Sequence, residues 1–413
     1  MNVTNLACLK CGRWHAPGAP VSVCAAPGCG GLLEVEYDYA GIAGAVDRDA
    51  LAADSAQTIW RYAPLLPVTA GGPRPPLAVG GTPLYRATRL STELGIPDLW
   101  IKDDGLNPTG SLKDRASAVA VAQALEAGHT TVACASTGNA ASSLAGNAAS
   151  VGLRSVIFVP ARAPAGKLTQ LLVFGAHVVS VEGSYAEAFG LSEVAIAEHG
   201  WYNRNAAINP YLVEGKKTVA YEVAEALGWK APDWVAVSVG DGCTLAGVYK
   251  GFKDLVQLGW LDRMPRLLGV QAEGCAPIYT ALKAGRPLVP TAENTLADSI
   301  AVGSPRNPDK AMRAIRESHG AMVAVSDADI LDSIRLLGRT TGVFGEPAGA
   351  AGLAGLRQAY RCGLANPKER AVVLVTGNGL KDIVNGTKAG GGPIRIPPDR
   401  EALRRALAEA GLD

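Results

Sequence analysis

Net charge is what this chain most clearly lacks: 39 Lys and Arg stand against 38 Asp and Glu, a formal +1 over 413 residues. That balance excludes the broad basic field with which proteins hold nucleic acid or anionic lipid, and it favours small neutral or zwitterionic ligands. No apolar run is long enough to span a bilayer. The first residues also lack the charged segment and apolar stretch of a secretory signal. Internal repeats and low-complexity tracts are absent. What remains is the expectation of a cytoplasmic protein with no nucleic-acid or membrane partner. Its length suits two or three domains, and its 48% hydrophobic content is ample for their cores.

In that compartment the eight cysteines are expected as thiols or metal ligands rather than disulfides. Cys8, Cys11, Cys24 and Cys29 form a C-x2-C-x12-C-x4-C arrangement. Two turn-like pairs of this kind close a tetrahedral thiolate site, and Gly12, Gly28 and Gly30 allow the tight turns. A structural Zn2+ is the expected occupant, and a reduced, metal-free ribbon is the alternative. His15 is a substitute ligand or a surface residue. Cys134, Cys275 and Cys362 have no metal spacing and read as packing residues.

From about residue 41 to 81 the chain turns rich in Ala, Pro and Gly, which predicts a linker lying along a surface. Beyond it, apolar strand-like runs at 99–102, 131–135, 155–159, 178–181, 234–239, 267–271 and 371–376 alternate with Ala-rich or amphipathic helical stretches. Helices are expected over 114–127 and 140–151. Such alternation predicts an α/β protein whose parallel sheets are covered by helices on both faces.

The chemistry concentrates in four loops. In NPTGSLKDR at 107–115, Lys113 stands at the head of a predicted helix, where the positive end of the dipole favours a neutral amine able to form an imine with an aldehyde cofactor. Three glycine-containing turns each follow a strand. They are Ser136-Thr137-Gly138-Asn139, Gly240-Asp241-Gly242-Cys243-Thr244, and the turn beginning at Thr376. Turns at the carboxyl ends of parallel strands aim backbone N–H groups into a crevice, and helix N-termini there receive carboxylates and phosphates. A ligand with an aldehyde, a phosphate and a ring nitrogen fits all four loops, and pyridoxal 5'-phosphate is that ligand.

The segments NPTGSLKDR, ASTGN at 135–139, FGEPA at 344–348 and TGNGLKD at 376–382 resemble motifs of the threonine synthase family, a branch of the fold-type II pyridoxal-phosphate enzymes related to tryptophan synthase β. The likeness runs over nearly the whole chain, including the cysteine knuckle and WRYAPLLP at 60–67. It implies that Lys113 forms the internal Schiff base and shuttles the Cα proton, that Asn139 bonds the ring hydroxyl, and that Gly240, Asp241, Gly242, Cys243 and Thr244 grip the cofactor phosphate. It also implies that Thr376 faces the pyridine nitrogen and that Ser136, Thr137 and Gly138 hold the substrate carboxylate. A homodimer is expected on the same ground.

Three positions depart from the family pattern. Ala140 stands where a threonine is usual, Ala207 where a serine is, and Leu212 where an arginine is. Charge-assisted bonds to an anion contribute about 1.5–3 kcal/mol each, so these losses argue against a phosphorylated substrate. Lys216 or Arg162 would compensate only if not simply solvated. Asp241 is an acid beside an expected phosphate, Cys243 is either an acidified thiol or a small filler, and Glu346 is either a cofactor contact or a helix start.

The expected architecture is therefore two parallel-sheet domains of fold-type II with a zinc-ribbon-like extension. The extension covers 1–40 and a linker 41–81. A large cofactor-binding domain takes 82–127 and 228–395, a small substrate-side domain 128–227, and a closing helix 396–413. The expected activity is a pyridoxal-phosphate-dependent lyase performing β- or γ-elimination or replacement on a small, unphosphorylated L-amino acid. Threonine synthase itself, a serine/threonine dehydratase-like lyase, and a zinc-containing regulatory protein on an inactive scaffold are the alternatives.

Overall fold

The computed structural model describes residues 2–18, 22–163 and 165–412. Its strands are β1 (Val3–Cys8), β2 (Trp14–His15), β3 (Leu33–Tyr37), β4 (Leu84–Arg86), β5 (Leu99–Asp103), β6 (Thr131–Ala135), β7 (Arg154–Pro160), β8 (His177–Val181), β9 (Tyr202–Asn203), β10 (Trp234–Ser238), β11 (Arg266–Ala272), β12 (Ala321–Val325) and β13 (Ala371–Val375). They form three sheets: an antiparallel β2-β1-β3, a six-stranded β12-β11-β10-β13-β5-β4, and a four-stranded β8-β7-β6-β9. All pairings in the two larger sheets are parallel except β4 with β5. The fold is thus α/β with parallel sheets.

Strands β6, β10 and β13 are buried at every residue, which explains their unbroken apolar sequences: both faces are covered, so no polar alternation is needed. Short β4 and β9 and the Ala/Met-containing β12 were not foreseen, because two or three residues carry no period and alanine is a weak strand former.

The stretch expected as a surface linker is largely exposed and helical up to residue 53, but residues 59–68 enter the core. Helices Tyr39–Ala45 and Arg48–Ala53 are capped by Asp38 and Asp47, whose carboxylates accept from Gly41 N and Ala50 N. Ile42, Leu51, Ile59, Tyr62, Leu65, Leu66 and Val79 are buried in the same hydrophobic cluster as Val219 and Tyr221, and the Tyr62 and Tyr221 rings lie 5.2 Å apart. Prolines break regular structure here without preventing burial, so composition alone misplaces the segment. The helices Tyr211–Lys216 and Thr218–Ala226, read from sequence with the smaller unit, join this same core beside β10.

The small antiparallel sheet is held to the main body by polar anchors. Tyr37 donates to Glu214 at 2.8 Å, and the amines of Lys250 and Lys310 donate to the carbonyls of Val35 and Leu33 at 2.8 and 2.7 Å. Arg313 clamps both oxygens of Glu34. Burial raises the Glu34 pKa, but Lys310, Lys250 and Arg313 outweigh it and bring it to about 2. At the crossing of helices Lys113–Glu126 and Tyr211–Lys216, a Cβ on Gly215 would lie 2.1 Å from the Arg115 carbonyl. Only glycine lets the two backbones meet there.

Among the described residues, no helix is long and apolar enough to cross a membrane.

Candidate active site

Lys113 is presented by a pinned loop. Leu112 N donates to the Thr376 carbonyl at 2.9 Å, and Ser111 bridges to Gly377. Asp114 turns back to accept from Thr109 N and its hydroxyl at 2.8 and 2.9 Å and from Asn147 at 3.1 Å. Even so, burial pushes the Asp114 carboxyl up to about 6. Arg115 is fully buried and joined to Asp104 and Glu222 at 2.7 and 2.5 Å. With its two successors anchored, the half-buried Lys113 side chain faces a cavity between the two parallel sheets. Its pKa is lowered, first by burial and then by the Arg204 guanidinium, with partial opposition from Cys243, Glu346 and Asp241.

The cavity, about 300 Å³, lies at the carboxyl ends of β6, β10 and β13. It is lined by Lys113, Ser136, Thr137, Gly138, Asn139, Gly240, Asp241, Gly242, Cys243, Thr244 and Thr376, which brings together the lysine and all three turns read from the sequence. Helices Asn139–Ala149 and Cys243–Gln257 begin here at Gly138 and Gly242, neither with a side-chain cap, so their first amides are left for a ligand. Gly242 has φ +91°, and a Cβ there would lie 2.7 Å from the Asn307 carbonyl. Asp241 is drawn aside: its carboxylate accepts from Arg306 N at 3.1 Å. The Thr376 hydroxyl meets that of Ser238 at 3.4 Å. Asn139 donates to Glu346 at 2.7 Å, and burial raises the pKa of that carboxyl. Glu346 therefore touches the cavity as well as standing at a helix start.

Several expectations change. Burial raises the Cys243 pKa, so it is not an acidified thiol; removal from solvent outweighs the helix end. Lys216, read as a solvated charge, is 2% exposed and lines the cavity, whereas Arg162 lies exposed elsewhere. Burial, then Lys113 and Arg204, lower the Lys216 amine to about 8, against opposing pulls from Cys243 and Asp241. Leu212 packs on Ala116 and Ala120, away from the cavity, while Ala140 and Ala206 line it. Arg204, Tyr185 and Arg306 line it too and were not foreseen. Single charged or aromatic residues outside a motif give no sequence signal. A second cavity of about 320 Å³ adjoins this one across Asn139 and Glu346.

The four sulfurs of Cys8, Cys11, Cys24 and Cys29 lie within 4.8 Å of one another, with Cys8–Cys29 and Cys11–Cys24 each at 3.6 Å. A tetrahedral thiolate site with metal–sulfur bonds of about 2.3 Å has sulfur–sulfur edges of about 3.8 Å, so the spacing fits. His15 Nε2 is 3.4 Å from the Cys24 sulfur.

A lysine amine beside two open helix N-termini is an arrangement that suits a phosphorylated carbonyl cofactor. A family model for pyridoxal-phosphate-dependent enzymes matches residues 76–377. A threonine synthase of Methanocaldococcus jannaschii is 39% identical over 405 residues, covering 97% of this chain and 99% of the relative. Another from Methanosarcina acetivorans is 39% identical over 408 residues, with 98% of each chain covered. Among solved structures, Escherichia coli diaminopropionate ammonia lyase superposes with a TM-score of 0.65 at 21% identity over 78% of this chain and 88% of its own. Maize serine racemase does so at 0.62 and 22% over 80% and 92%. The chain belongs to the threonine synthase family of fold-type II pyridoxal-phosphate-dependent lyases.

Proposed function

We propose that this enzyme carries pyridoxal phosphate on Lys113 and catalyses elimination or replacement at Cβ or Cγ of a small, unphosphorylated L-amino acid. The observation that carries this reading is the convergence of the Lys113 amine with the uncapped N-termini of helices Asn139–Ala149 and Cys243–Gln257 in one cavity. The cofactor, when bound, supplies the carbonyl for imine exchange and a conjugated ring that stabilises charge at Cα. The chain does the rest. Amides of Gly240 to Thr244 receive the phosphate, with the Lys216 charge nearby offsetting Asp241. Ser136, Thr137 and Gly138 receive the substrate carboxylate. Thr376, on the cavity wall, would offer the ring nitrogen a hydroxyl, which does not force protonation as a carboxylate would. Asn139, steadied by Glu346, meets the ring hydroxyl. Lys113, with its proton affinity lowered by burial, would take up and return the proton at Cα.

The missing donor at Ala140, which lines the cavity, supports an unphosphorylated substrate, whereas Leu212 packs away from the cavity and adds nothing to that argument. With O-phospho-L-homoserine, inorganic phosphate is expected to stay at the level of an enzyme-free control. Prompt release would instead establish the second reading, threonine synthase activity with other ligands. That reading is favoured by the cations Arg204 and Lys216 in the cavity wall and by the names of the relatives.

The thiolates of Cys8, Cys11, Cys24 and Cys29 are proposed to hold one structural Zn2+. Metal analysis of the pure protein should find zinc stoichiometric with chain. Cys11→Ser should lower that content and the temperature of unfolding, and zinc content unchanged by this substitution would refute the site.

A further inference from the structure

Three helices that wall the Gly240–Thr244 side of the cavity also hold one strand of the small antiparallel sheet. Helix Cys243–Gln257 begins in that loop. Helix Pro308–Glu317 backs it: Arg306 N and Asn307 N donate to the carboxylate and the carbonyl of Asp241 at 3.1 and 3.0 Å, and a Cβ on Gly242 would lie 2.8 Å from the Ala311 Cβ. Helix Tyr211–Lys216 ends at Lys216, on the cavity wall. From these same helices Lys250, Lys310 and Glu214 reach β3, at the Val35 carbonyl, the Leu33 carbonyl and the Tyr37 hydroxyl. Lys250 lies about two helical turns past Cys243.

β3 is an edge strand, and its Leu33 and Val35 carbonyls accept from lysine amines where a further strand would otherwise pair. Both lysines are buried, and an ammonium withdrawn from water needs an acceptor. The strand supplies it, and the two side chains in return fix the strand relative to the loop. At its start β3 runs into the cysteine cluster. Leu33 pairs with Cys8 across the sheet, Leu9 N donates to the Leu32 carbonyl at 3.0 Å, and Cys24 N donates to that of Gly31 at 2.8 Å. A Cβ on Gly31 would lie 2.7 Å from the Cys8 sulfur. Between β1 and β3 the only strand or helix among the described residues is the two-residue β2, so a metal held by the thiolates would be the main organiser of that segment.

We propose that β3 is a strut between two sites, so that zinc held by Cys8, Cys11, Cys24 and Cys29 tightens binding of pyridoxal phosphate, with Lys310 and Lys250 as the positioning residues that carry the effect. With metal in place the knuckle fixes the leading end of β3. Without it that end frays, Lys310 loses its acceptor, and the helix behind Gly242 loses an anchor. The coupling is reciprocal, so the cofactor tightens zinc by the same factor. This rests on the readings of the cavity as a pyridoxal-phosphate site and of the thiolates as a zinc site, and it adds communication between them.

The test uses the full chain, zinc-loaded or stripped by a chelator that is then removed, and follows the cofactor absorbance as pyridoxal phosphate is added. Circular dichroism checks that the stripped protein stays folded. Zinc removal should weaken cofactor binding by about 5- to 150-fold, the usual range of coupling between two sites, and added Zn2+ should restore it. Saturating cofactor should shift the midpoint of zinc competition against a chelator by the same factor. Lys310→Met should keep zinc stoichiometric yet bind the cofactor about 2- to 30-fold more weakly with zinc in place, and gain less from zinc than the wild type does. This arm needs no stripping and decides the matter if the zinc-free protein unfolds. Tyr37→Phe, which alters no charge, should act in the same direction and provides the test if the methionine variant does not fold. Arg405→Ala, on an exposed helix, should leave the coupling as in the wild type. Cofactor affinity independent of zinc in a folded protein, the result for a merely stabilising ribbon, overturns the inference. So does a folded, zinc-loaded Lys310→Met variant with wild-type cofactor affinity. A chain that takes up no zinc, or that develops no absorbance with pyridoxal phosphate, overturns the corresponding reading beneath the inference, and each failure is seen in its own assay.

Discussion

Lys113→Ala is expected to eliminate the imine absorbance of the cofactor-loaded protein and to cut turnover by at least about a thousandfold, the upper range for loss of a positioned acid–base group. The same substitution should not destabilise the cofactor-free protein. In that state the lysine is a half-buried amine with lowered proton affinity, set beside another, buried cation and, among the described residues, paired with no carboxylate. Removing it takes away a desolvation cost and a repulsion, whereas the loop that presents it is held by Asp114, Thr109 and the Thr376 carbonyl, which remain. Absorbance spectra and urea denaturation of the apoprotein check both halves. An absorbance band that survives the substitution would place the imine on another amine, and Lys216 also lines the cavity wall.

Arg115→Leu should produce the largest loss of stability, about 3–5 kcal/mol, because it strands the carboxylates of Asp104 and Glu222 in the core. Asp104 is wholly buried, and Arg115 donates to both of its oxygens, at 2.7 and 2.9 Å. Of its two buried cations Glu222 keeps Lys102, at 2.6 Å, together with the neutral donors Gly81 N at 3.0 Å and the Thr82 hydroxyl at 3.5 Å. Burial raises the Glu222 pKa, but Arg115 and Lys102 more than reverse this and hold it below the ordinary 4.5. A depressed carboxylate stabilises the fold above its unfolded pKa, and that contribution is lost as pH falls below about 4.5 toward the folded value. The variant should therefore show a weaker pH dependence in this acid range as well as a lower midpoint in urea. Arg405→Ala, at an exposed pair with Glu401, is the control and should change stability by less than about 1 kcal/mol. A loss at Arg115 no greater than at Arg405 would mean that the network contributes no more than a surface contact. Because Arg115 lies two residues past Lys113, the variant is also expected to bind the cofactor more weakly.

Much of the architecture is legible in residue order because it depends on local rules. Buried parallel strands need continuous apolar runs, as in β6, β10 and β13, and the turns after them need glycine where the backbone bends sharply, as at Gly242. The lysine loop and the three strand-end turns were therefore readable as one constellation, and the structure gathers them around one cavity. Within 41–81 the burial of residues 59–68 was not legible, because prolines and glycines speak to local conformation while the cluster these residues join includes Val219 and Tyr221, far along the chain.

What the sequence by itself determined is the chemical equipment and its fold family: an amine at a helix start, amide-rich turns after strands, and four cysteines in two close pairs. The tertiary structure alone decided which charges went without partners. A lysine or arginine is written the same way whether solvated or enclosed, and only the packing of remote segments removes water from it. Lys216 and Arg204 therefore became features of the site when other parts of the chain closed over them, since an unpaired charge carries a large electrostatic cost only once water has been excluded.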